Sequence, residues 1–364
     1  MTQSPLGIGI VGTGFGQKIH IPGFQEHPNT NVVAVYHRDL EKARAIADTY
    51  RIPHACTTVQ ELAELSDVDA VSVSTPPFLH TEMAKTVMHA GKHLLLEKPT
   101  AMNAIEAEEL LSLAKSANIV TCLDFEFRYV PEWMRLFELL EDGYVGKNRF
   151  IKIDWLVAGR ANPERAWNWY SQAELGGGAL GAFGSHTFDY IAWLFGPVTR
   201  LCGHLSTGIT ERPDVTGAMK PVNSDDTCQL WLELADGTPC QVMLSSVTYQ
   251  GRGHWVEVYG DRGTLVLGND NQKDYIHGFR LWGSQQGEPL VEQTIPERLQ
   301  FKQTYPDGRL APFIRVVDHW LKDIEQGMSS APSLREGVNS QVLMDAAYES
   351  HQKGAWVVLP EHNL

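Results

Sequence analysis

The chain has 364 residues, 43% of them hydrophobic and 20% charged, with a formal net charge of −14. That length exceeds one comfortable hydrophobic core, so two domains are expected; the acidic balance, without any cluster of Lys and Arg, excludes a nucleic-acid partner and an anionic membrane surface, since either needs a basic face. Five cysteines, Cys56, Cys122, Cys202, Cys228 and Cys240, odd in number and without C-x-x-C spacing, read as buried thiols of a reducing compartment; no metal site is expected, and the lack of a leader-like or long apolar stretch points to the cytoplasm.

Leu6–Val11 is a β-rich apolar run that ends in Gly12-Thr13-Gly14-Phe15-Gly16, after which polar residues begin. Strand, glycine turn and helix in that order suit a pyrophosphate, because glycines admit close backbone approach and the helix N-terminus offers N–H groups. The useful register is Gly12, Gly14 and Gly16: Gly7 and Gly9 fall inside the strand, and Gln17 stands where the strict fingerprint has its third glycine. The second strand, Asn31–Tyr36, ends at His37-Arg38. A fold that prefers NAD usually has an acid there for the ribose hydroxyls. Arg38, with His37, suits a 2′-phosphate instead, so NADP is expected as cofactor, with NAD as the alternative.

Asp39 caps a helix with Ala43, Ile46, Ala47 and Tyr50 on its buried face, and Thr58-x-x-Glu61 opens the next. Ala70–Ser74 is a third strand, leading into Thr75-Pro76-Pro77-Phe78-Leu79-His80; a helix through Met83, Ala84 and Val87 closes at Gly91. His93-Leu94-Leu95-Leu96 then reads as a strand buried on both faces, with Glu97-Lys98-Pro99-Thr100 at its carboxyl end, where open α/β sheets place their ligands. Pro99 ends the pairing and holds Lys98 at a turn. Asn103-x-x-Glu106 starts another helix and Ile119–Leu123 another strand. Five alternations of strand and helix predict a doubly wound parallel sheet over residues 1–123.

From residue 124 to 364 the rhythm changes. After a helix that starts at Pro131, residues Ile151 to Trp155, Cys228 to Leu234, Cys240 to Ser246, Trp255 to Tyr259 and Thr264 to Leu267 alternate or form hairpins, which predicts a second α/β domain with a large open, mostly antiparallel sheet. Leu205 to Asp225 and Asn269 to Arg309, polar and rich in Gly and Pro, read as surface or lid loops. Gly176-Gly177-Gly178 and Gly184-Ser185-His186 precede a helix with His186, Asp189, Tyr190 and Trp193 on one face. Ser185 can cap that helix, His186 can titrate near neutrality, and Asp189 one turn on can orient it.

Taken in order, these motifs resemble the Gfo/Idh/MocA oxidoreductases, a family named for glucose-fructose oxidoreductase and inositol dehydrogenase, over essentially the whole chain. The matching residues include Gly12-Thr13-Gly14-Phe15-Gly16 with His20 and Pro22, Thr75-Pro76-Pro77 with His80, Glu97-Lys98-Pro99, Gly176-Gly177-Gly178, Gly184-Ser185-His186 with Asp189, and Ser333-Leu334-Arg335-Glu336-Gly337. The resemblance implies an N-terminal Rossmann domain for NAD(P) and a C-terminal α/β domain whose sheet forms a homodimer or homotetramer. It implies that Lys98 is the active-site lysine, that Lys98-Pro99 is a cis peptide, and that His186 is the acid/base histidine. Thr13, Phe15, Ser74, Thr75, Pro76, His80 and Glu97 fall on cofactor-lining positions, and Arg128 on a motif near the pocket. Many relatives carry an aspartate four residues before the histidine; here that place is Ala182, so a shorter proton relay is expected, served by Asp189 or by groups of the substrate. The expected activity is hydride transfer between NAD(P) and a hydroxyl or carbonyl carbon of a small sugar, cyclitol or related molecule. The alternatives are a nucleotide-binding regulator without turnover and a glycosidase that uses NAD transiently.

Overall fold

The structure, a computed structural model, describes residues 5–360. The chain forms two compact units, one running to Glu126 and taking in Arg309–Gln341, the other spanning Phe127–Gly308 and continuing from Val342.

In the first unit β1 (Leu6–Val11), β2 (Thr30–Tyr36), β3 (His54–Cys56), β4 (Ala70–Val73), β5 (His93–Leu96) and β6 (Thr121–Leu123) form a parallel sheet in the order β3-β2-β1-β4-β5-β6. The order reverses between β1 and β4, the switch point where a doubly wound sheet opens a crevice at its carboxyl edge. Covered on both faces, β4 is buried at every residue, which is why it reads as a short apolar run without alternation. The predicted caps form: Asp39 accepts the Glu41 and Lys42 N–H groups at 3.0 and 3.3 Å, and Thr58 and Asn103 accept those of Glu61 and Glu106, each at 3.0 Å. β3 went unforeseen; its three residues pair with Ala34–Tyr36 at the sheet edge and are too few to show a period. Helix Leu310–Gln326 belongs to this unit, with Phe313 stacked 4.4 Å from the His20 ring.

The second unit is built on nine strands in the order β16-β15-β14-β13-β7-β12-β11-β8-β17. They are β7 (Asn148–Leu156), β8 (Val198–Ser206), β11 (Thr227–Leu234), β12 (Pro239–Ser245), β13 (Gly253–Gly260), β14 (Gly263–Asn269), β15 (Arg280–Gln285), β16 (Val291–Glu292) and β17 (Val357–Val358); β9 (Glu211–Pro213) and β10 (Met219–Pro221) pair separately. Every neighbouring pair in the large sheet is antiparallel except β7 with β12. One face sends Ile151, Ile153, Leu230, Val242 and Val256 into a core shared with Phe188 and Ile191 of helix Ser185–Phe195. The two stretches expected as loops are corrected here: β8 runs through Leu205 to Ser206 and β9 pairs with β10, while β15 and β16 lie between Asn269 and Arg309. Their outward polar residues hide the alternation; in β15 only Leu281 and Gly283 are buried.

Candidate functional site

At the carboxyl end of β1 the chain turns at Gly12, whose φ is +117°, and a Cβ there would lie 2.6 Å from the Ser74 carbonyl carbon. Only glycine meets both conditions. A Cβ on Gly16 would lie 2.3 Å from Ser74 Oγ, whereas nothing lies within 4 Å of one on Gly14. The turn therefore packs against the β4 end on one side and leaves open space on the other. It leads into a π-helical stretch, Gly16–His20, that continues as helix Ile21–Glu26. Thr75 Oγ1, on the loop after β4, is buried without a hydrogen-bond partner among the described residues. An open glycine turn beside an orphan hydroxyl fits a dinucleotide phosphate. Phe15 lies under the Arg309 guanidinium at 5.1 Å. At the end of β2 the Asp39 carboxylate is engaged as the helix cap, and the Asp39 N–H donates to His37 Nδ1 at 2.9 Å. Arg38 is exposed and has no carboxylate within ion-pair distance among the described residues.

Glu97 and Lys98 follow β5, and the Lys98-Pro99 peptide is cis. Glu97 is buried and two-sided: Oε2 accepts the Lys98 N–H at 3.1 Å, and Oε1 lies 3.1 Å from His20 Nε2. His20 Nδ1 is 2.6 Å from Ser72 Oγ, and Asp124 Oδ2 is 3.5 Å from Nε2. One imidazole thus ties the ends of β4, β5 and β6 to the segment that follows the glycine turn. Burial pulls the His20 pKa down, but hydrogen bonds to Asp124 and Glu97 and their charge more than reverse this and raise it to about 9. Burial pushes Glu97 up, yet the His20 bond and the nearby cations hold it below the usual carboxylate range. Asp124 is raised well above its ordinary value by burial and the Glu97 charge. An imidazolium, a carboxylate and a carboxylic acid then balance. Their ligand atoms lie within 4.8 Å of one another, close enough to converge on a metal. His80 bridges two loops, Nδ1 standing 2.8 Å from Pro99 O and Nε2 2.7 Å from Thr75 O; burial lowers its pKa, against the pull of those carbonyls.

In the second unit Gly178, at φ +114°, would place a Cβ 2.4 Å from Asp225 Oδ1. Asp225 Oδ2 accepts the Leu180 N–H at 2.7 Å, so this buried carboxylate fixes the start of the π-helical stretch Leu180–Gly184 that runs into helix Ser185–Phe195. Ser185 is inside the continuous helical run and donates to the Gly181 carbonyl at 2.7 Å, which corrects its expected role as a cap. His186 is 2% exposed, with the Phe127 ring edge-on at 5.0 Å and Trp155 at 6.1 Å. Asp189 accepts two hydrogen bonds from Arg128, Nε to Oδ2 at 2.9 Å and Nη2 to Oδ1 at 2.7 Å. Two residues assigned separate roles are therefore a bidentate ion pair. His254, in contact with the same aromatic group, stacks on Trp155 at 4.2 Å and lies 3.1 Å from the Tyr190 hydroxyl; burial drops its pKa to about 3, so it is neutral.

Sequence reasoning missed the charge roles of His20 and Asp124, and missed Asp225 and His254 altogether. Asp124 carried a usable signal, since it directly follows β6 at the sheet's carboxyl edge.

Residues 6–125 match the profile described as oxidoreductase family, NAD-binding Rossmann fold, and residues 138–359 that described as oxidoreductase family, C-terminal alpha/beta domain. The chain belongs to the Gfo/Idh/MocA oxidoreductase family. Family relatives include an uncharacterized oxidoreductase of Synechocystis, 50% identical, with 99% of this chain and 98% of the relative covered. Levoglucosan dehydrogenase of Pseudarthrobacter phenanthrenivorans is 26% identical, with 98% of each chain covered. A solved levoglucosan dehydrogenase in complex with NADH and L-sorbose superposes with a TM-score of 0.85 at 24% identity, covering 98% of this chain and 99% of that one. The sequence reading of family and fold class stands: a Rossmann-type parallel sheet and a C-terminal mixed sheet of an oxidoreductase. Among the described residues no helix is long and apolar enough to cross a membrane.

Proposed function

We propose that the protein is an NADP(H)-dependent dehydrogenase or reductase that acts on a hydroxyl-bearing carbon of a small sugar, cyclitol or related molecule. The observation that carries this is the match of both halves of the chain to an NAD-binding oxidoreductase family, with Lys98 at the carboxyl end of the parallel sheet. The bound nicotinamide supplies the hydride acceptor or donor. In the oxidation direction His186 would take the hydroxyl proton, and the Lys98 ammonium would hold the oxygen as negative charge develops on it. Glu97 supports the Lys98 turn by accepting its backbone N–H. Asp189, neutralised by Arg128, would act on the helix that presents His186 more than on the proton itself.

The sugar class is supported by levoglucosan dehydrogenase, similar along the whole chain. The preference for NADP(H) is supported by Arg38, exposed beside His37, and by the commitment of the Asp39 carboxylate to its helix cap. A relative of this fold binds NADH, so the two cofactors must be compared directly. Homo-oligomers through the outer face of the nine-stranded sheet are also proposed, because that face leaves Trp231 48% and Tyr259 37% exposed. The test is turnover of a panel of sugars, anhydrosugars and cyclitols with NADPH and NADH. Arg38→Ala is expected to reduce the NADPH preference by roughly 10-fold or more, as loss of a charge-assisted phosphate contact requires. Equal use of both cofactors by wild type and variant would refute the preference, and absence of turnover with every substrate would refute the activity.

A further inference from the structure

The loop after β7 carries a cation with no carboxylate partner among the described residues. The Arg160 guanidinium is half-buried and lies 3.2 Å above the centre of the Tyr170 ring, and no carboxylate among the described residues is within ion-pair distance of it. Burial lowers its pKa to about 10, with Arg165 and Arg212 adding to the effect and Tyr170 opposing it. A cation removed from water without a counter-ion is costly, so a reason is required.

The surroundings are built to hold this guanidinium in place. Arg212, 4% exposed, donates Nη1 to the Asn162 carbonyl at 2.7 Å and Nη2 to the Arg160 carbonyl at 2.6 Å. Arg165 Nη1 donates to the Gly159 carbonyl at 2.8 Å, and the Arg160 N–H to the Ser246 carbonyl at 2.8 Å. Two arginines therefore brace the loop that presents the third. The two carboxylates of the neighbourhood are engaged elsewhere. Asp225 accepts from Leu180 N–H at 2.7 Å, Cys228 Sγ at 3.0 Å and the Tyr348 hydroxyl at 3.3 Å; Asp226 accepts from Gly208 and Ile209 N–H at 2.8 and 2.9 Å and from Thr227 Oγ1 at 3.2 Å.

We propose that Arg160 receives the anionic group, carboxylate or phosphate, of a small hydroxylated ligand in the cleft it shares with Tyr170, Ser171, Arg212, Ser224 and Ser246. The cleft is open to solvent and small, with about 10 Å³ of free space, room for one water-sized group such as a single anionic oxygen, so only the tip of an end group enters while the body of the molecule lies outside. A planar guanidinium stacked on an aromatic ring keeps its edge donors available for a two-pronged contact with such a group. The cleft also adjoins the segment that bears His186: Asp225 lines it and holds Leu180, six residues before His186, about 9 Å by helical rise. The inference that this anion belongs to the substrate rests on the dehydrogenase reading; the anion site itself does not.

The test is calorimetric binding to the full chain saturated with NADPH, using D-glucuronate, D-glucose 6-phosphate and D-glucose on wild type, Arg160→Gln and Arg160→Lys. At least one charged sugar is expected to bind wild type about 10-fold or more tightly than glucose. Arg160→Gln is expected to lose that advantage while glucose affinity stays unchanged, and Arg160→Lys, which keeps charge without the fork, to retain part of it. Preference for the glucuronate arm identifies a carboxylate, and for the glucose 6-phosphate arm a phosphate. Equal affinity for charged and neutral sugars, or an advantage unchanged in Arg160→Gln, overturns the proposal. If Arg160→Gln does not fold, the Arg160→Lys comparison decides alone. Anion binding without turnover would leave the site standing and remove the dehydrogenase reading.

Discussion

Replacing His20 by glutamine removes the charge at the centre of the buried His20-Glu97-Asp124 group while keeping a polar side chain of similar reach. The folded-state pKa of His20, about 9, lies above its ordinary 6.5. A proton held more tightly in the folded state stabilises the fold fully below the unfolded value, and that stabilisation is lost as pH rises through the folded one. At about 1.4 kcal/mol per pH unit, the interval from 6.5 to about 9 corresponds to about 3 kcal/mol. His20 is completely buried, so no solvent screening reduces this figure. Urea denaturation of wild type and His20→Gln at about pH 6 and about pH 10 measures it: the wild type should be the more stable protein at the lower pH, and the gap should narrow by about 3 kcal/mol at the higher. Titrations outside the His20-Glu97-Asp124 group are common to both proteins and cancel in the difference, so the change in the gap reports on this group as a unit. A gap that stays constant between the two pH values would refute the assignment of a protonated His20.

The Arg128-Asp189 pair, with side chains 10% and 3% exposed, should show strong coupling in a double-mutant cycle of Arg128→Met and Asp189→Asn. Each single variant removes two charge-assisted hydrogen bonds from a buried partner, so a coupling of about 3 kcal/mol in unfolding free energy is expected, and additive effects would contradict the pairing. Thiol labelling of the native protein at about pH 8 should modify Cys202 alone at an appreciable rate, because it is the one partly exposed cysteine. Burial pushes Cys56 up to about 11 and Cys228 well above its ordinary value, so fast native labelling of either would contradict the structure.

The sequence announces the first unit well because its signals are local. A run such as Leu94-Leu95-Leu96 is buried by its place in a parallel sheet, and a cap such as Asp39 or Asn103 bonds to residues two or three positions on. β8 and β15 escape notice because one face of their sheet is polar and the other carries glycines, Gly203 and Gly283, where a periodic pattern needs a large apolar residue. Ser185 misleads for a different reason: the helical run begins five residues earlier, in a stretch whose glycines read as loop. At the candidate site the strand-end positions of Glu97 and Lys98 are legible, but their environment is not. His20 and Glu97 are 77 positions apart, and Asp225 holds Leu180 across 45. No spacing rule connects such pairs, and only the folded chain assigns Arg128 to Asp189.

Lys98 and His186 are the groups proposed to stabilise the substrate oxygen and move its proton. The most direct measurement is steady-state turnover of a substrate identified in the wild type, made for Lys98→Met and His186→Ala alongside calorimetric cofactor binding. Roles exercised mainly in the transition state predict kcat losses of roughly 100-fold or more in each variant, with cofactor affinity within a few fold. Turnover near the wild-type rate in either variant, with the fold intact, would contradict the account.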